Sequence, residues 1–93
     1  MRLDTTKLEY ILSAYTRPVF LVVTEPDDDN DIQIVISCNV FNTMDIEQRI
    51  DYVFSIIKNY IPEIVIDRLI IVQAYDAEEM EEVIENAFKI SNI

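Results

Sequence analysis

No glycine occurs anywhere in these 93 residues, and that absence narrows the chain's options more than any residue it contains. Phosphate-cradling loops, dinucleotide fingerprints and the Gly-x-x-Gly clamp of KH-type domains each need positive φ or a backbone pressed close to a ligand. All three are excluded. Histidine is missing as well, which removes the usual general base near neutral pH and the commonest metal ligand. Catalysis would then fall to carboxylates or tyrosines, and no spacing marks a reacting pair. The chain is expected to be non-enzymatic, with no catalytic residue, no cofactor and no metal site.

The length fits one domain. A chain of this size buries only roughly 60–68% of its unfolded surface, so its core has to be dense. The means are present, since 51% of the residues are hydrophobic and Ile and Val are prominent among them. A disordered acidic tail would have few such residues. The single Cys38 rules out an internal disulfide. Met1-Arg2-Leu3-Asp4 opens no signal peptide, because no uninterrupted apolar stretch follows it, and no segment approaches the roughly 20 apolar residues of a membrane span. The expected setting is the cytosol.

Eighteen acidic residues against seven basic ones give a formal charge of -11. Phosphate backbones and anionic membranes repel such a body at long range unless a basic patch is concentrated somewhere. Arg2, Lys7, Arg17, Arg49, Lys58, Arg68 and Lys89 are scattered and form no run. Direct nucleic-acid binding and membrane binding are therefore not expected.

Asp4-Thr5-Thr6 offers helix-capping oxygens ahead of Leu8, Ile11, Leu12 and Tyr15, which form one apolar helical stripe. Thr16-Arg17-Pro18 ends that helix, because a residue before proline is pushed out of the helical region. Val19–Thr24 and Ile32–Phe41 read as two strands, joined through the polar segment Glu25-Pro26-Asp27-Asp28-Asp29-Asn30-Asp31 into an antiparallel hairpin. Asn42-Thr43-Met44-Asp45 caps a second helix. Ile46, Ile50, Val53, Ile57 and Ile61 mark its buried line, with Glu47, Arg49, Asp51 and Lys58 on the wet side.

After Pro62 a short helical turn spans Glu63–Ile66. Leu69–Tyr75, nearly all apolar, is expected to be a central strand. Asp76-Ala77-Glu78-Glu79 forms an aspartate version of the capping box and starts a last helix that is expected to bury Met80, Val83, Ile84, Ala87 and Phe88. The fold class is α+β, a single domain over 1–93 in α-β-β-α-(α)-β-α order. Its three-stranded mixed sheet carries the helices on one face.

Four features are candidates for chemistry or recognition. Asp27, Asp29 and Asp31 begin like an EF-hand loop, but Ile32 stands where the loop needs Gly and Cys38 where it needs Glu. A solvated hairpin loop accounts for them better than weak divalent binding. Cys38 has no neighbour to lower its pKa and reads as a packed strand residue rather than a redox thiol. The acidic group Asp76, Glu78, Glu79, Glu81, Glu82 and Glu85 sits where a helix dipole favours negative charge. It is either a solvated helix face or a recognition surface. Among five tyrosines, Tyr10 and Tyr60 fall off the apolar stripes, where they serve as core edges or as interface material.

Several segments resemble the BolA-like family, whose fold is similar to a class II KH domain. Lys7-Leu8 through Tyr15 looks like that family's first helix. Ile34 through Phe41 is similar to its second strand, which ends in a Ser-Asp-x-Phe turn. Arg49 through Ile57 sits where the family has an Arg-His-Arg helix start, and Leu69 through Met80 looks like its last strand running into a Thr-Pro-Glu-Glu-Trp helix start. The resemblance covers about Lys7 to Phe88. It implies monothiol glutaredoxin partners and an iron–sulfur cluster shared through a family His, with a second His or Cys in the hairpin loop. Here Arg49-Ile50-Asp51 replaces Arg-His-Arg, Arg68 stands at the ligand His, Thr43 replaces a Gly and the loop is Asp-rich. The fold and a protein-binding role carry over, and cluster sharing does not.

Two functions follow as expectations. One is a small adaptor or regulatory domain that binds a basic protein through Asp27, Asp28, Asp29, Asp31, the Asp76–Glu85 carboxylates, Tyr10 and Tyr60, in a complex weakened by salt. The other is a nucleic-acid mimic of the mobile-element type, which would need two rows of carboxylates along one face. An Ile-rich sheet edge also leaves homodimer pairing open.

Overall fold

A computed structural model of the chain describes residues 3–25, 31–67 and 69–91. Asp27, Asp28, Asp29 and Arg68 lie outside them. In order, the elements are α1 (Leu3–Thr16), β1 (Phe20–Thr24), β2 (Asp31–Ser37), a 3-10 turn at Asn39–Thr43, α2 (Ile46–Tyr60), α3 (Pro62–Asp67), β3 (Leu69–Tyr75) and α4 (Ala77–Ser91). The arrangement is α+β, in the expected order. No helix among the described residues is long and apolar enough to cross a membrane.

The sheet runs β1-β2-β3, antiparallel between the first pair and parallel between the second. The central strand is therefore β2, and β3 lies at an edge, contrary to the expectation from its apolar run. A nearly continuous apolar run implies two covered faces. Instead Ile70 and Ala74 face the core, while Leu69 is 61% exposed and Ile71 is exposed beside it. β2 combines a central position with clear alternation because the helices cover one face of the sheet only: Ile32, Ile34 and Ile36 are fully buried there. Burial of each contributes on the order of 1.5–3 kcal/mol. Leu8 and Leu12 of α1, Val53 and Ile57 of α2, and Phe41 of the 3-10 turn close over them.

Each helix end reflects local chemistry. α1 begins at Leu3, so Asp4, Thr5 and Thr6 belong to its first turn rather than preceding it, and Thr5 is buried there. At its other end Thr16 Oγ1 donates to the Leu12 carbonyl at 2.6 Å, and Arg17 turns the chain at φ 48. Helix ends commonly place Gly in this left-handed region. A glycine-free chain uses Arg17, the one positive φ among the described residues, at a cost of about 1–2 kcal/mol. The turn delivers Val19 N–H to the Ser37 carbonyl at 2.8 Å, which aligns the hairpin.

β2 stops at Ser37, short of the expected Phe41, because the chain winds into the 3-10 turn and drives Phe41 into the core. Asp45 caps α2 through a reciprocal capping box with Gln48, both bonds at 2.9 Å. Pro62 starts α3, where its missing N–H costs nothing.

Two amphipathic faces are turned from their expected directions. On α2, Ile46 is 62% exposed while Arg49 is buried at 6%, so the buried stripe is Arg49, Val53 and Ile57. On α4, of the five residues expected inside, only Met80 is buried. Ile84 and Phe88 are 51% and 69% exposed, and Val83 and Ala87 are exposed too. α1 and α2 already cover the sheet's buried face, and α4 meets β3 and the 3-10 turn at the end of the sheet.

Candidate partner-binding surface

The expected surface residues divide into three groups. Asp76 and Glu79 turn inward at the start of α4. Glu79 Oε1 accepts the Asp76 N–H at 2.9 Å, and Asp76 Oδ1 accepts the Glu79 N–H at 2.8 Å. This is the reciprocal capping box read from the sequence. Arg49 completes it from α2. Its Nη1 donates to Glu79 Oε1 at 2.6 Å and Nη2 to Asp76 Oδ2 at 3.5 Å, while Nε and Nη1 reach the Met44 and Ala74 carbonyls at 3.1 and 3.3 Å. The Asp76 amide, then the Arg49 guanidinium, holds the Glu79 carboxyl below its usual pKa. Asn42 Oδ1 also accepts the Ala77 N–H at 3.4 Å, joining the 3-10 turn to the same helix start. These two carboxylates anchor α4.

Glu78, Glu81, Glu82 and Glu85 form the second group. They recur at helical spacing along one exposed side of α4 and line a single shallow depression of about 280 Å³. Next to them on the same helix lie the exposed Val83, Ile84 and Phe88. α4 thus shows solvent an acidic stripe and an apolar one. Asp31, the described member of the loop group, is half-buried as the first residue of β2, opposite Leu69.

Tyr10 and Tyr60 make the third group, and the structure adds Tyr15 and Tyr52 to it. Tyr15 and Tyr60 stack across the α1–α2 contact, with ring centroids 4.4 Å apart and planes within 17°. The hydrogen bond with Tyr60 pushes the Tyr15 phenol above its usual pKa. Tyr52 meets Phe41 edge to face at 6.2 Å. A groove of about 490 Å³ is lined by Tyr15, Tyr52, Ser55, Ile56, Asn59 and Tyr60, and Tyr10 shares a smaller one with Tyr60. Sequence reasoning missed Tyr15 by assigning it to the core stripe. Tyr52, Ser55, Ile56, Asn59 and Tyr60 recur at i, i+3, i+4, i+7 and i+8, a signal that was available. Along α2 the groove runs from Tyr52, within a turn of Arg49, to Tyr60, roughly 16 Å from Arg49.

An iron–sulfur cluster does not fit these residues. The chain has no His, and among the described residues no three potential ligands converge. Cys38 is buried, and burial pushes its thiol pKa up, away from the thiolate that iron binds.

No family model matches the chain, and no curated protein sequence matches it. Solved structures do. BolA1 from Arabidopsis thaliana superposes with a TM-score of 0.65 at 18% identity, over 80% of this chain and 92% of that one. A Bol-like protein from Babesia bovis superposes with a TM-score of 0.68 at 20% identity, over 83% and 88%. The chain has the BolA-like fold.

Proposed function

We propose that this chain is a small, non-enzymatic regulatory domain of the cytosol that works by binding a protein with a basic surface. The observation that carries the reading is α4. A helix of 15 residues leaves Val83, Ile84 and Phe88 exposed beside a stripe of four glutamates. Apolar area supplies affinity, and flanking carboxylates supply steering and choice of sign. The BolA-like fold supports a protein-binding role. Mimicry of a nucleic acid would call for two rows of carboxylates on one face, whereas α4 presents one, and Asp76 and Glu79 are held by Arg49.

The test is affinity capture from the source cells at low and high salt. It compares the native chain with one carrying Glu78→Gln, Glu81→Gln, Glu82→Gln and Glu85→Gln together. The expected result is a basic protein retained at low salt, released at high salt and lost from the quadruple variant. Equal capture by both chains would overturn the reading.

A further inference from the structure

We infer that the groove between α1 and α2 lined by Tyr15, Tyr52, Tyr60, Ser55, Asn59 and Ile56 is a binding site for an arginine side chain presented by a protein. The inference rests on the reading of a basic protein partner and names the group that the groove would take from it.

Three observations select the sign and shape of the ligand. First, three aromatic rings line the groove and no cationic side chain does. Ring faces carry negative quadrupole potential, so they attract a cation and repel a carboxylate or phosphate. At long range the net charge of -11 acts in the same direction, with Lys7 of the adjoining smaller groove acting against it. Second, the rings are held in place. Tyr15 and Tyr60 brace each other in a stack across two helices, and Tyr52 is fixed edge to face against the fully buried Phe41. A braced aromatic wall loses little freedom when a ligand arrives.

Third, the polar atoms of the groove can accept hydrogen bonds. Ser55 Oγ already donates its hydrogen to the Tyr52 carbonyl at 2.8 Å, which leaves its lone pairs for a donor. The Asn59 side-chain carbonyl and the phenolic oxygens add further acceptors. A guanidinium brings five N–H donors, no acceptor and a flat face. It stacks on an aromatic ring and desolvates more readily than the compact, strongly hydrated ammonium of lysine. Arginine is therefore favoured over lysine, and both over any neutral or anionic side chain.

The experiment uses the whole chain and three small probes, N-acetyl-arginine amide, N-acetyl-lysine amide and N-acetyl-citrulline amide, followed by NMR at fixed salt. Tyrosine fluorescence is a second readout, uncomplicated because the chain has no Trp. The expected result is a saturable shift of Tyr15, Tyr52 and Tyr60 signals by the arginine probe, a weaker one by the lysine probe and none by citrulline. Citrulline keeps the shape and most of the donors of arginine while losing the charge.

Tyr52→Phe keeps a ring and should retain binding, whereas Tyr52→Leu should weaken it about two- to fivefold. Because Tyr52→Leu also touches Phe41, Asn59→Lys serves as the second variant. It changes an exposed residue at the groove and should abolish the shift by placing a like charge there. Citrulline binding as tightly as arginine, shifts that avoid the tyrosines, or an Asn59→Lys chain that binds unchanged would each overturn the inference. The quadruple Gln variant of α4 separates the two readings. It should still bind the arginine probe, so loss of capture with probe binding intact bears on α4 alone, and failure of the probe with capture intact bears on the groove alone.

Discussion

Arg49 and Glu79, thirty residues apart in sequence, meet at 2.6 Å through Nη1 and Oε1, and that same oxygen accepts the Asp76 N–H. One carboxylate oxygen thus serves as a helix cap and as half of an ion pair. The guanidinium is nearly all buried, while the Asp76 and Glu79 side chains are 24% and 44% exposed. The two sides of the pair therefore respond differently to substitution.

Removing the carboxylate should cost more than removing the guanidinium. Glu79→Ala leaves Arg49 buried with one partner fewer, and a buried charged donor left short costs about 1–3 kcal/mol or more. In Arg49→Met the partly exposed carboxylates can turn to water and the apolar side chain fills the space, so no charge is left buried without a partner. Denaturant unfolding of both variants checks this, and the reverse order would contradict it.

Acid should loosen α4 first. The Glu79 pKa is lowered in the folded chain by the Asp76 amide and by Arg49. A depressed carboxylate stabilises the fold above its unfolded pKa, about 4.3, and that contribution is lost as pH falls through the lower folded value. Hydrogen exchange at the Glu79 and Met80 amides should accelerate below about pH 4.3 beyond the change expected from intrinsic rates. In Arg49→Met the acid response should shrink without vanishing, because the Asp76 amide bond remains.

Arg17→Gly should stabilise the chain by about 1 kcal/mol, since glycine meets no Cβ clash in the left-handed region. Arg17→Ala should show no such gain. Thermal or denaturant melts of the two variants give the comparison, and an alanine variant as stable as the glycine one would place the strain elsewhere.

Ser37 is fully buried, and its Oγ has no hydrogen-bond partner among the described residues. Ser37→Ala removes a desolvated hydroxyl and should leave stability unchanged or raise it by about 1 kcal/mol. A clear loss in an equilibrium unfolding experiment would mean that the hydroxyl is bonded in solution.

Element order, the α4 capping box and the buried face of β2 were all legible, because each is written in residues near one another in sequence. What stayed hidden depends on distant neighbours. The apolar run Leu69–Tyr75 signals a strand but not which strands flank it. Met80, Val83, Ile84, Ala87 and Phe88 signal that α4 has an apolar face, and nothing local says whether another element covers it. Arg49 looks like any wet-face arginine until Asp76 and Glu79 are brought to it from across the fold. Tyr15 continues the stripe of Leu8 and Leu12, yet its ring stacks on Tyr60 and stays half exposed. Tyr10 and Tyr60 stand out by exclusion from the stripes, and the grooves that Tyr60 lines, one with Tyr15 and a smaller one with Tyr10, form only where α1 and α2 lie side by side.

The parallel pairing of β2 with β3 has a consequence for how the protein is made. Asp31 pairs with Leu69 and Ser37 with Tyr75, so the middle strand leaves the ribosome well before its second neighbour exists. Meanwhile the hairpin offers an open edge, with Ile32, Ile34 and Ile36 covered by α1 and still waiting for α2. Every residue between the 3-10 turn and α3 must be translated before the sheet can close. Birth order therefore leaves that edge unpaired for the whole time that α2 and α3 are being made, and an unpaired edge is open to a stranger.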